Sequence, residues 1–232
     1  MKSFKCYEIV KGDSVEERID KRQLLMQQTG QMPWFDIRLN QEEMDFLNRA
    51  ISKENKKNIS KELVGNIFKS EQLEDKDTWF YETVLKKLTE RMFYRSWKNY
   101  CQYQLEKTEE PPKFVLETFW VNYQRKHEFN PIHDHRYGGL YSFVIFMKIP
   151  THWKEQHALP ISTNSNCPIA SDFAFFLSEP NSDIWESINF PLCPEDEGRM
   201  LFFPSTFKHQ VYPFYECEEE RITISGNIVL GE

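Results

Sequence analysis

From Lys113 onward the chain is a series of short apolar runs separated by Pro, Gly, Asn and Asp. Runs of this length that are rich in Phe, Val, Ile, Tyr and Trp and bounded by turn formers read as β-strands. They predict strands near Phe114–Tyr123, Phe129–His135, Leu140–Ile149, Phe173–Ser178, Trp185–Phe190, Arg199–Phe203, Lys208–Tyr212 and Arg221–Leu230. Eight strands at these spacings fit a jelly roll, in which two antiparallel sheets face each other around a shared cavity. A polar, irregular stretch, Thr151–Ser171, interrupts the series. At the mouth of a barrel it would supply substrate contacts, a lid, or no more than a surface loop.

Upstream the period changes from two to nearly four. Asn40 reads as a helix cap with Glu43 three residues later, followed by Met44, Leu47 and Ile51 on one face. The charged run Lys53–Lys61 reads as a loop, and Leu63–Phe68 as a short buried piece turning at Gly65-Asn66. Asp77 is the expected cap of a longer helix. Its Phe80, Val84, Leu88 and Met92 recur every four residues, backed by Tyr81, Leu85, Phe93, Trp97 and Tyr100. A stripe that wide belongs against the outer face of a sheet. The helix fades over Leu105–Glu110 and Pro111-Pro112 stops it. Before Asn40 the pattern gives a strand at Phe4–Val10, a helix over Val15–Met26 and a strand within Trp34–Leu39. The expectation is an α+β protein: a double-stranded β-helix core, residues 113–232, carrying a mainly helical extension, residues 1–112, with a long supporting helix, together one compact domain.

Composition narrows this. Aromatic residues are 15% of the chain, which suits a β-rich core of bulky side chains and excludes disorder. A net charge of −7 argues against a protein that grips nucleic acid chiefly through its phosphates. The N-terminal residues hold no apolar run of signal-peptide length, and the longest apolar run, Leu140–Pro150, is too short to span a bilayer. Five scattered cysteines without Cys-x-x-Cys spacing point to a reducing compartment, hence a cytoplasmic protein, and Cys167, Cys193 and Cys217 lack structural-zinc spacing. Oligomeric state leaves no mark on the pattern.

The candidate chemistry lies in Phe129–His135, which ends His133-Asp134-His135. On an extended strand alternate side chains share a face, so His133 and His135 project together, roughly 7 Å apart at the backbone, and Asp134 projects away. Two neutral imidazoles so placed can converge on one metal ion, with His209 as the third ligand. A bulge would instead turn Asp134 inward in place of one histidine. Taken singly, His209 also reads as a core histidine and Arg221, after Glu218-Glu219-Glu220, as a surface ion-pair partner. His127, His152 and His157 sit in polar loops and read as solvated and inert, whereas Asn122, Tyr123, Asn130 and Ser142 could line the cavity.

The order Asn130-x-Pro-x-His-x-His135, Gly198-Arg-Met-Leu-Phe-Phe-Pro204, His209 and Arg221-Ile-Thr-Ile-x-x-Asn227 resembles the prolyl-hydroxylase-like oxygenases that use Fe(II) and 2-oxoglutarate, in particular a branch that includes phage-encoded members. The similarity covers roughly residues 113–230, and Leu63-Val-Gly-Asn-Ile67 resembles an upstream part of that branch. The resemblance implies a non-haem Fe(II) dioxygenase with 2-oxoglutarate as co-substrate, dioxygen, and stimulation by ascorbate. It couples decarboxylation to hydroxylation of a small molecule or peptide. His133, His135 and His209 would hold iron, Arg221 would pair with the far carboxylate of 2-oxoglutarate, and Thr223 or Ser225, on the same strand face, would add a hydrogen bond. Most such enzymes carry His-x-Asp or His-x-Glu where this chain has His133-x-His135. Two other readings use the same fold: a three-histidine, cupin-type dioxygenase that needs no 2-oxo acid, and a non-catalytic jelly-roll binding module.

Overall fold

The computed structural model describes residues 34–54, 56–100, 112–178 and 185–231. The strand expected at Phe4–Val10, the helix at Val15–Met26 and the fading helix end at Leu105–Glu110 lie outside them.

Among the described residues, ten strands form two antiparallel sheets. The larger contains β1 (Phe35–Arg38), β2 (Lys69–Gln72), β3 (Phe114–Gln124), β5 (Tyr141–Lys148), β8 (Arg199–Pro204) and β10 (Arg221–Leu230), in the order β1-β8-β5-β10-β3-β2. The smaller contains β4 (Asn130–His133), β6 (Phe173–Ser178), β7 (Trp185–Phe190) and β9 (Lys208–Val211), in the order β4-β9-β6-β7. All eight strands expected after Lys113 form, three of them with the same bounds as expected; β4 stops two residues early, at His133. The sheets pack face to face through Val144, Phe146, Leu201 and Phe203 on one side and Phe173, Phe175 and Phe190 on the other. β2 is a strand the pattern does not announce, because Lys-Ser-Glu-Gln has no apolar alternation. It forms by adding to the edge of β3, with Ser70 opposite Asn122 and its hydroxyl donating to Asn122 Oδ1 at 2.7 Å. At the other edge, β1 is fastened to β8 by a two-point ion pair from Arg199 to Asp36, at 3.0 and 2.8 Å.

The outer face of the larger sheet is covered by helices. Helix α1 (Gln41–Ser52) begins with the capping box expected at Asn40 and Glu43. A π-turn at Tyr81–Leu85 leads into α2 (Lys86–Tyr100). Phe80, Val84, Leu88 and Met92 are at most 1% exposed and pack on Phe119, Val121, Phe143 and Ile224, as a four-residue repeat against a sheet requires. The cap lies two residues before the expected one. The Asp75 carboxylate accepts from the backbone N–H groups of Phe80 and Tyr81, both at 2.8 Å, while Asp77 sits at φ 58. A left-handed residue cannot serve as an extended cap. Leu63–Phe68 is also not the buried piece expected: Ile67 is buried, but Val64 and Phe68 are 60% and 69% exposed. The polar insertion folds into α3 (Trp153–Ala158) and α4 (Pro160–Thr163). No helix among the described residues is long and apolar enough to cross a membrane.

Removing the cap should be felt at once. Asp75→Ala is expected to lower the unfolding free energy by about 0.5–2 kcal/mol in urea titrations, whereas Asp77→Gly, at a backbone angle that glycine favours, should change it by less than about 0.5 kcal/mol.

Candidate active site

β4 and β9 pair so that His133 stands directly opposite His209. Between Asn130↔Val211 and His133↔His209, three steps on β4 match two on β9. This bulge lets both Asn130 and His133 face the space between the sheets. His135 lies beyond the strand end and is fixed by its backbone N–H, which donates to Ser205 O at 2.8 Å. The three rings meet: their centroids are 4.2 Å (133–209), 5.0 Å (133–135) and 5.1 Å (135–209) apart. One nitrogen from each lies within 4.8 Å of the other two.

Two of the rings have defined tautomers. His133 Nδ1 is 2.7 Å from Pro131 O and His209 Nδ1 is 3.0 Å from Phe207 O. A carbonyl only accepts, so each Nδ1 donates, and the neutral ring keeps an unprotonated Nε2 lone pair. Burial opposes charge on all three. It lowers the pKa of His133, pushes His135 down to about 4 with help from His133, and holds His209 well below the ordinary value. The cluster is thus a set of neutral imidazole donors, the form that binds a divalent transition metal. Asp134 does not join it. Its carboxylate takes both Nε and Nη2 of Arg136, at 2.9 and 2.7 Å, and this contact holds its pKa below the usual range.

The rings open into a narrow cleft between the two sheets. The ladders of β10 with β3 and β5 build one wall, placing Thr223 beside Asn122 and Phe146 and Ser225 beside Trp120 and Val144. Trp120 stands edge-on to His135, with centroids 6.1 Å apart. Leu63, Val64 and Gly65 also line the cleft, which explains why this segment is not buried. A side chain at Gly65 would place its Cβ 1.8 Å from Asn130 Oδ1, so only glycine allows Asn130 this close. Of the polar residues expected to line the cavity, Asn122 and Asn130 do. Tyr123 instead faces the helices, and Ser142 is buried with its hydroxyl on Asn227 Oδ1 at 2.8 Å.

Arg221 is fully buried one strand repeat behind Thr223, and is not in the cleft wall. Its Nη2 donates to the carbonyl and hydroxyl oxygens of Ser171, while Nε and Nη1 meet no hydrogen-bond partner. Its Cζ lies 5.2 Å from the Phe214 ring. Burial lowers its pKa to about 10, against the opposing pull of Asp172. Two buried N–H donors aimed at nothing are a costly feature in a finished core and suit a site that awaits an anion.

Other histidines also have structural partners. His157 is not solvated: its Nε2 is 2.9 Å from the buried carboxylate of Asp172. His152 accepts from Lys154 N at 3.1 Å and caps α3. It falls close to Cys193 and Glu195, but the Cys193 thiol donates to Asp196 at 3.3 Å and is pushed up by burial, so this trio is occupied with local caps. The insertion contributes no residue to the cleft wall.

Residues 118–227 match the family model described as "Putative 2OG-Fe(II) oxygenase". No curated protein matches the chain. Among solved structures, it is similar to an oxidoreductase of the 2OG-Fe(II) oxygenase family from Burkholderia pseudomallei, at a TM-score of 0.51 and 10% identity over 96% of this chain and 94% of that one. It is also similar to a Pseudomonas putida prolyl-4-hydroxylase, at a TM-score of 0.50 and 14% identity over 90% of this chain and 98% of that one. Both show the same double-stranded β-helix fold, as expected.

The buried imidazoles should make the metal-free protein acid-sensitive. Their folded pKa values lie below the unfolded value near 6.5, so the unfolded chain binds more protons as pH falls. Unfolding free energy is expected to be intact above about pH 6.5 and to drop as pH approaches 4, by about 3 kcal/mol for His135 alone. Urea titrations across this range should show a shallower slope for His135→Asn.

Proposed function

We propose that the chain, whose residues 118–227 match the 2OG-Fe(II) oxygenase family model, is a 2-oxoglutarate/Fe(II)-dependent oxygenase in which His133, His135 and His209 hold the iron while Arg221 anchors 2-oxoglutarate. The observation that carries the first assignment is the convergence of three neutral rings from two distant chain segments on one point. That supporting the second is the pair of unpartnered donors on a fully buried guanidinium. The donor set fits the metal: the three neutral imidazoles of His133, His135 and His209 would hold a ferrous ion and would leave room on it for the 2-oxo acid and dioxygen. When bound, iron, 2-oxoglutarate and dioxygen together supply the oxidising chemistry, by which the 2-oxo acid becomes succinate and carbon dioxide and one oxygen atom enters a C–H bond of the substrate.

The protein's own part is placement. Pro131 and Phe207 carbonyls keep the Nε2 atoms of His133 and His209 free to coordinate. The hydroxyls of Thr223 and Ser225, on the inner face of β10 with Arg221, are hydrogen-bond donors for the same far carboxylate. Val144, Phe146, Phe173 and Phe203 keep water from the reacting centre. With His135 where an acid is usual, the metal keeps one more unit of positive charge, which strengthens its hold on the dianionic 2-oxo acid. In this reading residues 113–232 are the catalytic core, residues 1–112 an extension packed on it, the setting is cytoplasmic, and the substrate is a small molecule or peptide.

Purified protein given Fe(II), ascorbate and 2-oxoglutarate is expected to consume oxygen and form succinate even without its substrate. His209→Ala should fall to background. Arg221→Ala should keep its iron and need at least about tenfold more 2-oxoglutarate, the value of one lost charge-assisted hydrogen bond. Oxygen consumption that is independent of any 2-oxo acid would contradict the assignment.

A further inference from the structure

Arg221 reaches its place through Ser171, fifty positions away in sequence. Ser171 is fully buried and sits at φ 74, a left-handed angle that costs a non-glycine residue on the order of 1 kcal/mol. That conformation turns both its carbonyl and its hydroxyl toward Arg221 Nη2, the carbonyl at 2.9 Å. Its backbone N–H donates to Pro213 O at 2.9 Å. The hydroxyl, accepting from Arg221, has its proton left for Thr151 Oγ1, 3.1 Å away. Every polar atom of this residue is therefore committed, the two oxygens to Arg221 and Thr151 and the N–H to Pro213.

Thr151 and Ser171 are the two ends of the insertion that contains α3 and α4. Their hydroxyl contact closes it at its base, and both residues are buried. Asp172, next to Ser171, is tied back to α3 through His157 at 2.9 Å, and Gln156 of α3 is tied to Tyr215 through both its amide groups, at 2.9 and 2.8 Å. The insertion is thus fastened behind Arg221, while none of its residues lines the cleft.

We propose that Ser171, clamped by Thr151, is a positioning residue for Arg221, and that residues 151–171 form the rear support of the 2-oxo-acid pocket and not a lid for the substrate. This rests on the assignment of Arg221 to the far carboxylate. With Nη2 held from behind, the nitrogens without protein partners are Nε and Nη1, and the edge that carries one of them is left to meet that carboxylate. Without the Ser171 hydroxyl the guanidinium gains rotational freedom and loses orientation, not charge.

The test compares two 2-oxo acids of equal chain length: 2-oxoglutarate, and 2-oxopentanoate, which lacks the far carboxylate. Oxygen uptake with each is measured for the wild-type iron-loaded enzyme, Ser171→Ala, Ser171→Gly, Thr151→Val and Arg221→Ala. Arg221→Ala should lose the preference for 2-oxoglutarate. Ser171→Ala should lower it ~tenfold, through KM for 2-oxoglutarate with kcat within about twofold, and leave 2-oxopentanoate unchanged. Ser171→Gly relieves the backbone angle and should show the same loss, and Thr151→Val a smaller one. Should Arg221→Ala lose the preference while both Ser171 variants keep it, or lose activity toward both acids equally, the positioning role is overturned. Retention of the preference in Arg221→Ala overturns the Arg221 assignment itself, and this inference with it.

Discussion

The site depends on three imidazoles, His209 buried and His133 and His135 half-buried, being held together and kept neutral. Protonating any of them places a positive charge against two neighbours within about 5 Å in a poorly solvated space, so the fold itself enforces the metal-binding protonation state. It also fixes which nitrogen is free. His133 and His209 each use the carbonyl two residues earlier to hold the proton on Nδ1. The same local device serves both, because both stand on short strands that face each other in one ladder.

The second constraint is a buried cation. A guanidinium with no exposure is tolerated in a folded core only when partners replace water. Arg221 has Ser171 on one nitrogen, the Phe214 ring near its carbon, and Asp172 close enough to oppose the effect of burial. Two of its nitrogens are left without partners. A dicarboxylic co-substrate would complete the shell, so the energy withheld from the folded protein becomes available to binding.

The sequence makes the core of this legible because strands that bury one or both faces must repeat a hydrophobic pattern, and all eight strands after Lys113 announce themselves that way. β2 does not, since its stability comes from adding to an edge. The cap at Asp75 is hidden by an equally suitable Asp77 two residues on; only the positive φ of Asp77 decides between them. The pairing of His133 with His135 is legible by alternation, although the regular strand ends between them and His135 is held by Ser205 instead. What the pattern cannot reveal is the support: Ser171, Asp172 and His157 sit in polar sequence, and their importance lies in the contact of Asp172 with His157 and that of Ser171 with a strand fifty residues away.

The most direct measurement is a crystal structure of the protein with Fe(II) and 2-oxoglutarate, prepared without oxygen. It should place Nε2 of His133 and His209 and a ring nitrogen of His135 on the iron, Asp134 still on Arg136, and the far carboxylate of 2-oxoglutarate on Arg221. Asp134 turned inward as a ligand in place of a histidine, or a co-substrate carboxylate bound away from Arg221, would contradict this account.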